Sequence, residues 1–331
     1  MSILRNPQPE AQRYKRILLR EAQDNMAEEV RKALTANPKW LPCKYFYDAH
    51  GMALFDQICN LPEYYLTRVE TALLQEHAAA LIDLCPNPLS LVELGSGSSV
   101  KTRYLIEPCL ARHRELTYYA LDISPTALKE GARPLLGVYE TLKVVGLAGE
   151  FADGLRYLGK HQKEPRLVAF LGSTIGNFNA EELARFFTML RRELRPEDRF
   201  LLGADLLKDP AILRPAYDDA QGVTAKFNLN ILVHINQELG ADFDLTAFRH
   251  RAVFNPRHSR IEMHLVSLRE QTVWIEGLKL AVPFRAEETI HTENCYKHSQ
   301  GALRSLLARH GFSVVEMVTD PREWYGLVLV S

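Results

Sequence analysis

The run Val92-Glu-Leu-Gly-Ser-Gly-Ser-Ser-Val-Lys101 carries the clearest local sign of how this chain folds. It continues an apolar segment that begins at Leu89, and its glycines and serines interrupt that segment where a helix would begin. Glycine lets the backbone approach a ligand closely, and open sheets bind ligands at the carboxyl ends of their strands. The run therefore predicts a strand and a ligand-binding turn, although a Gly-x-Gly turn alone is equally compatible with a tight turn of no function.

Strand-like and helix-like segments alternate after Pro88. Further strand candidates are Leu116-Thr-Tyr-Tyr-Ala-Leu, a weaker Val144-Val-Gly-Leu-Ala-Gly, Arg166-Leu-Val-Ala-Phe-Leu and Arg199-Phe-Leu-Leu-Gly-Ala, with helical patterns at Thr126 to Leu135 and Ala180 to Leu194. Nearly continuous apolar strands separated by helices are typical of a parallel sheet covered on both faces. The pattern predicts an α/β fold of the doubly wound, Rossmann-like type.

The rhythm changes from Leu207 onward. A helical pattern from Val223 to Leu239 precedes three alternating, antiparallel strand candidates: Phe248 to Phe254, Ser259 to Leu268 and Thr272 to Leu280. The α/β rhythm then returns with a helix from Ala302 to His310, Gly311 as its C-cap, and strands Phe312 to Met317 and Tyr325 to Val330. We predict a cofactor-binding domain at 63–206 and 298–331, with an inserted α+β substrate-binding domain formed by 1–62 and 207–297.

Composition limits the partners of the chain. Lys plus Arg (40) nearly equals Asp plus Glu (41), so no strong field is available to hold a nucleic acid. No apolar run approaches the roughly 20 residues of a membrane helix, and the N-terminus lacks a secretory apolar core. The five cysteines lack the paired spacings of a metal site and suit a reducing compartment. We expect a cytoplasmic monomer that acts on a small molecule without a metal.

The nature of the cofactor follows from the residues around the glycines. A dinucleotide fingerprint would need a third glycine at Val100, so nicotinamide binding is disfavoured. Glu93 before the glycines and Asp122 at the end of the next strand instead resemble class I methyltransferases, in which the second acidic residue binds the ribose hydroxyls of S-adenosylmethionine. In the alternative interpretation, Asp122 only caps the helix that starts near Pro125.

Several longer motifs make the resemblance specific. They are Tyr47-Asp-Ala-His-Gly-Met-Ala-Leu-Phe-Asp, Leu61-Pro-Glu-Tyr-Tyr-Leu-Thr-Arg-Val-Glu, the Glu93 to Arg103 run, Leu171-Gly-Ser-Thr-Ile-Gly-Asn-Phe, Ala216-Tyr-Asp-Asp-Ala-Gln-Gly-Val-Thr-Ala-Lys-Phe-Asn and Ile290-His-Thr-Glu-Asn-Cys-Tyr-Lys. From about Tyr47 to the C-terminus the chain resembles the histidine Nα-methyltransferases of ergothioneine biosynthesis.

That resemblance implies a set of site residues. Those implied to contact the cofactor are Tyr64, Gly95, Lys101, Asp122, Glu150 and Phe151. Those implied to contact the substrate are Asn177, Tyr217, Glu293 and Cys295, with Tyr47 and Met263 lining the pocket. Asp153 competes with Glu150 for the adenine amine. The family often has Ser where this chain has Cys295, and a thiol is the weaker hydrogen-bond partner.

The reaction that the resemblance implies is methylation of the α-amine of L-histidine to its trimethylated betaine. Displacement at a sulfonium depends on orientation, and Asn177 and Tyr217 suit the substrate carboxylate because both can donate hydrogen bonds. The amine proton can leave through water or through Tyr47, the candidate catalytic residue, while Tyr47 and Tyr64 offer aromatic faces to a quaternary ammonium. Glu293 can accept the N–H of an imidazole.

Structural interpretations stay open for each of these residues. Asn177 can be a turn residue, Tyr217 and the other tyrosines can be packing residues, and Glu293 can cap or salt-bridge the end of the insert.

Alternative functions are Nα-methylation of another amino acid, such as tryptophan or tyrosine, and a non-catalytic protein that binds S-adenosylmethionine.

Overall fold

The computed structural model describes residues 13–19, 25–97 and 99–331. Residues 1–12 and 20–24 of the predicted substrate-binding domain, and Ser98 of the glycine turn, lie outside this range. The strands are β1 (Tyr14–Leu18), β2 (Lys39–Trp40), β3 (Ser90–Leu94), β4 (Leu116–Asp122), β5 (Leu142–Ala148), β6 (Arg166–Phe170), β7 (Arg199–Asp205), β8 (Phe248–Asn255), β9 (Arg260–Ser267), β10 (Gln271–Ile275), β11 (Leu280–Phe284), β12 (Thr289–Tyr296), β13 (Val314–Thr319) and β14 (Tyr325–Val330).

The α-helices cover the large sheet and build the insert. They are α1 (Met26–Leu34), α2 (Ala49–Cys59), α3 (Tyr65–Asp83), α4 (Arg103–Arg112), α5 (Pro125–Val138), α6 (Phe151–His161), α7 (Ala180–Glu193), α8 (Pro210–Leu213), α9 (Val223–Leu239) and α10 (Gln300–Arg309). In the part of the chain that the structure describes, no helix is long and apolar enough to cross a bilayer.

The large sheet has eight strands in the order β1-β5-β4-β3-β6-β7-β14-β13. All neighbours are parallel except β14, which runs antiparallel to β7 and β13. Every residue of β3, β6 and β14 is buried, as a sheet covered on both faces requires. The predicted doubly wound, Rossmann-like fold is confirmed. The winding reverses between β3 and β6, so a crevice opens at the carboxyl ends of these two strands.

The insert contains a second sheet in the order β2-β12-β9-β8 and a separate hairpin of β10 and β11. The predicted strand from Thr272 to Leu280 is wrong in extent, because β10 ends at Ile275 and a 3₁₀ turn, Glu276–Leu278, intervenes. Gly277 of that turn lies against the end of α9, where a Cβ would be 3.0 Å from the carbonyl oxygen of Leu239. The chain then returns along β11. The predicted strand therefore covers most of the first strand of a hairpin, its turn and the first residue of the second strand.

The N-terminal strand lies elsewhere than the predicted domains place it. β1 pairs in parallel with β5, with Tyr14 opposite Val144, and so forms the edge of the large sheet. Arg13 ties this edge to the end of α5 by donating 2.7 Å hydrogen bonds to the carbonyl oxygens of Leu136 and Tyr139. This piece of the predicted substrate-binding domain therefore belongs to the large sheet. The division into two domains as a whole stays a prediction.

Candidate active site

The glycine turn lies at the carboxyl end of β3, as predicted. Gly95 and Gly97 have φ angles of +68° and +47°, a region that favours glycine. The carboxylate of Asp122 holds the turn, since it accepts hydrogen bonds from the backbone N–H of Gly97 at 3.0 Å and of Ser124 at 2.9 Å. Ser124 is the N-cap of α5 and accepts from the backbone N–H of Ala127. Asp122 therefore does not cap this helix, and the capping interpretation is wrong.

Glu93 is buried beneath the turn. Its carboxylate accepts hydrogen bonds from the hydroxyls of Thr102 at 2.5 Å and Tyr118 at 2.6 Å, and burial raises its pKa to about 7. These bonds attach β3 to β4 and to the start of α4. Glu93 thus supports the turn from inside the fold.

The end of β5 presents the two carboxylates that compete for adenine. Glu150 is exposed at the N-cap of α6, and its side-chain carboxylate forms no hydrogen bond or ion pair with any described residue. Asp153 is already paired with Arg156 at 2.7 Å. Phe151 is half-buried, edge-on to Phe170 at 5.7 Å, and its ring approaches Gly95. The unpartnered carboxylate favours Glu150 for the adenine amine, and that choice stays a prediction.

Lys101 is joined to a buried carboxylate that the sequence interpretation did not single out. Glu70 forms an ion pair with Lys101 and also accepts from the backbone N–H of Gly172 at 2.7 Å and the hydroxyl of Tyr325 at 2.6 Å. Burial acts to lower the pKa of Lys101, but the Glu70 carboxylate raises it above its usual value. Glu70 closes the Leu61 motif, so its membership of that motif was the available signal.

The predicted substrate contacts come together where a 3₁₀ turn, Thr174–Asn177, lies against β12. The amide nitrogen of Asn177 donates to the Glu293 carboxylate at 3.2 Å. Met263 is the partner of Glu293 in the β9–β12 ladder. Burial raises the pKa of Glu293 to about 7, although Lys297 and Asn177 act in the opposite direction. The structure therefore brings a half-buried amide, a buried carboxyl and a buried thioether into one cluster.

Tyr217 joins this cluster from the segment before α9. Its hydroxyl lies 2.7 Å from the Cys295 sulfur on β12. Its backbone carbonyl accepts from Nε2 of His250, because Nδ1 of His250 accepts from the Asn228 amide at 2.8 Å. Asn228 in turn accepts from the hydroxyl of Thr292 at 2.7 Å. This chain of bonds fixes Tyr217 relative to the strand that carries Glu293.

Tyr47 and Tyr64, the predicted aromatic neighbours of a quaternary ammonium, lie among other aromatic rings. The ring of Tyr47 lies edge-on to those of Phe55 at 5.8 Å and Phe227 at 5.6 Å, and the ring of Tyr64 lies edge-on to that of Tyr217 at 6.3 Å. Burial, reinforced by Glu293, raises the pKa of Tyr47 well above its usual value. The phenol is therefore protonated at neutral pH, which favours water as the route for the amine proton. The catalytic role of Tyr47 stays a prediction.

The sequence interpretation missed Lys297 and Asp205. The side chain of Lys297 has no exposed surface and lies 2.6 Å from the Asp205 carboxylate. Glu293, Cys295 and Lys297 are spaced by two, and all three are buried, so the strand periodicity of the Ile290 motif was a signal for Lys297. Asp205 ends β7 as Asp122 ends β4, and this position was the signal for Asp205.

Comparison with known proteins identifies the family of the chain. A family model described as "Histidine-specific methyltransferase, SAM-dependent" matches residues 26–331. The chain is 41% identical to a histidine N-alpha-methyltransferase of Mycolicibacterium smegmatis over 93% of this chain and 95% of that protein. It is 40% identical to one of Mycobacterium tuberculosis over 92% and 94%. Ergothioneine biosynthesis protein 1 of Neurospora crassa is 32% identical over 89% of this chain and 33% of its own length. The chain belongs to the histidine-specific family of S-adenosylmethionine-dependent methyltransferases.

Proposed function

We propose that this enzyme transfers methyl groups to the α-amine of L-histidine, three in succession, and releases the trimethylated betaine as the first step of ergothioneine-type synthesis. The observation that carries the proposal is the buried carboxyl of Glu293, which lies in the predicted substrate cluster beside Asn177 and Met263. A carboxylate accepts the N–H of an imidazole, whereas an apolar amino acid offers it no donor and leaves Asn177 as its hydrogen-bond partner. The names of the mycobacterial relatives agree with this substrate.

The residues of the glycine turn fit S-adenosylmethionine, which supplies a methyl group on a sulfonium. Asp122 faces the ribose in this proposal and Phe151 the adenine base, while the free carboxylate of Glu150 accepts the adenine amine. Gly95 leaves the turn open, because a Cβ there would meet, among the described residues, only the ring of Phe151, at 3.7 Å. Lys101 and Tyr64 complete the cofactor contacts on the side toward the substrate cluster.

The substrate is oriented by its two ends. Asn177 and Tyr217 donate hydrogen bonds to its carboxylate, and Glu293 with Cys295 binds the ring. The α-amine then lies near the faces of Tyr47 and Tyr64, which tolerate a quaternary ammonium that can no longer donate hydrogen bonds. Each transfer releases one proton to water. Catalysis therefore depends mainly on alignment of the amine with the methyl group.

The substrate assignment is tested by measuring kcat/KM for histidine and tryptophan in the wild type, Glu293→Ala and Cys295→Ser. We expect Glu293→Ala to lose about 10- to 100-fold on histidine, the value of a hydrogen bond to a charged group, and to lose little on tryptophan. Cys295→Ser is the conservative control and should retain histidine turnover. Equal losses on both substrates would remove the specificity role of Glu293. A second assay supplies S-adenosylmethionine with a labelled methyl group. If no amino acid acquires the label, a non-catalytic binding protein is favoured.

A further inference from the structure

The buried ammonium of Lys297 makes three hydrogen bonds. Its Nζ lies 2.6 Å from the Asp205 carboxylate, 2.8 Å from the Tyr217 hydroxyl oxygen and 3.0 Å from the Cys295 sulfur. Burial acts to lower the pKa of Lys297, but Asp205 raises it above its usual value, so the amine is charged. An ammonium has three donors and no acceptor. All three of its protons are therefore used, two of them on residues of the substrate cluster.

This arrangement constrains the protons of Tyr217 and Cys295. Burial raises the pKa of both groups, so each keeps its own proton at neutral pH. The two heavy atoms are 2.7 Å apart, a distance that one of these protons must bridge. Because Lys297 already donates to both atoms, the second proton points away from the ammonium. The pair thus has one proton left for a further partner.

We propose that Lys297 is a positioning residue that sets the hydrogen-bond polarity of the substrate pocket, making the Tyr217–Cys295 pair a donor toward the substrate. The inference rests on the proposed function. With Glu293 as the acceptor, this part of the pocket offers the substrate one acceptor and one donor, in addition to the Asn177 amide. A neutral imidazole matches Glu293 with its N–H, and its unprotonated nitrogen or the substrate carboxylate accepts the remaining proton. Lys297 acts through Tyr217 and Cys295 and has no contact of its own with the substrate.

The structure provides a matched control for the charge of Lys297. Lys208 binds the same Asp205 carboxylate at 2.5 Å, and its other hydrogen bonds go to the Tyr65 hydroxyl and a backbone carbonyl. It contacts neither atom of the Tyr217–Cys295 pair among the described residues. Loss of either lysine leaves Asp205 paired with the other one. The two substitutions therefore disturb the same buried carboxylate and differ in their effect on the pocket.

The experiment compares Lys297→Met with Lys208→Met after histidine turnover by the wild type has been established. We expect Lys297→Met to raise the KM for histidine about tenfold or more, with a much smaller change in kcat and in the Kd of S-adenosylmethionine. Lys208→Met should change the KM by less than about twofold. In a Tyr217→Phe background, Lys297→Met should have a clearly smaller effect on the KM, because part of the path from Lys297 to the substrate is gone.

Three outcomes would overturn the inference: an unchanged KM in Lys297→Met, an equal increase in Lys208→Met, or full additivity with Tyr217→Phe. If Lys297→Met melts far below Lys208→Met, Lys297→Gln replaces it under the same criteria, since its neutral amide keeps a polar group in the site but has two donors for three acceptors. A wild type that does not methylate histidine would contradict the proposed function instead. A wild type active on histidine whose Lys297 variants keep their KM would contradict only the inference.

Discussion

Glu293 is a carboxyl that the proposed function requires inside a buried pocket, where a polar side chain is unfavourable for folding. It is 8% exposed, and its pKa of about 7 means that the free enzyme holds this carboxyl partly protonated near neutral pH. A polar group buried in this way costs stability unless a partner satisfies it. Asn177 supplies one hydrogen bond, and the substrate ring supplies another in the proposed function. Functional groups buried in this way commonly lower the stability of the whole protein.

The pH dependence of the unfolding free energy reveals the protonation state of Glu293. The pKa of Glu293 is about 7 in the folded protein against the usual 4.5, so between these values the folded state binds more protons than the unfolded state. Its contribution is therefore lost as the pH rises through that window. We expect the free energy of unfolding of Glu293→Gln, relative to wild type, to rise by up to about 3 kcal/mol across the window and to level off above it.

Urea titrations from about pH 5 to 8 measure this difference. Glu262→Gln is the control, because Arg260 and Asn255 lower the pKa of Glu262 to about 2 against the effect of burial. That carboxyl is almost fully ionised in both states above about pH 5.5, so its difference from wild type should be nearly constant there. A constant difference for Glu293→Gln as well would show that Glu293 has an ordinary pKa.

The 3₁₀ turn after β6 is the element that places Asn177 against β12. At Gly176 an added Cβ would lie 3.0 Å from the carbonyl oxygen of Tyr296 and 3.4 Å from the Cys295 sulfur. The backbone angles there are ordinary, so the requirement for glycine comes from this close approach. A larger residue must move the turn away from the strand, and Asn177 moves with it.

Gly176→Ala tests this element. We expect a loss of about 1 to 3 kcal/mol in unfolding free energy and a raised KM for histidine, with S-adenosylmethionine affinity retained. Gly159→Ala is the matched control, because a Cβ there meets no atom of the described residues within 4 Å and alanine favours a helix. An unchanged KM in Gly176→Ala would mean that the strand, rather than the turn, yields.

At the scale of the whole molecule, one end of the large sheet carries the candidate site and the other end carries a buried ion pair. The candidate site lies at the carboxyl ends of the parallel strands. At the opposite end, Arg166 and Asp198 form an ion pair at 2.5 Å with both side chains fully buried. Asp198 also accepts from the backbone N–H groups of Arg166 and Arg195 at 2.8 Å. This pair joins the starts of β6 and β7 far from the ligand crevice.

Asp198→Ala should therefore affect stability alone. We expect a loss of about 3 to 5 kcal/mol, because the substitution leaves the Arg166 charge buried without its partner. Arg185→Ala, which breaks an exposed ion pair with Glu181, should change stability by no more than about 0.5 kcal/mol. Chemical denaturation gives both values. A changed KM for histidine in folded Asp198→Ala would show that the two ends of the sheet are coupled.

The part of this protein that follows from local sequence is the parallel sheet with its glycine turn. The apolar runs around Val92 and Val168, and the positive φ angles of Gly95 and Gly97, depend on residues close together in the chain. The resemblance to a family also indicated which residues form the candidate site, because its motifs could be matched position by position. Glu70 and Lys297 lay within those motifs, but the motifs alone did not indicate their partners.

The tertiary structure decided the edge position of β1, the hairpin of β10 and β11, and the polar network of the substrate cluster. Asn177 meets Glu293, and Lys297 meets Asp205 and Tyr217, across stretches of about 80 to 116 residues. The cost of closing such loops is met only by contacts that the whole fold creates. A periodic pattern describes which face of a strand is buried, but it carries no information about which distant charge will lie against that face.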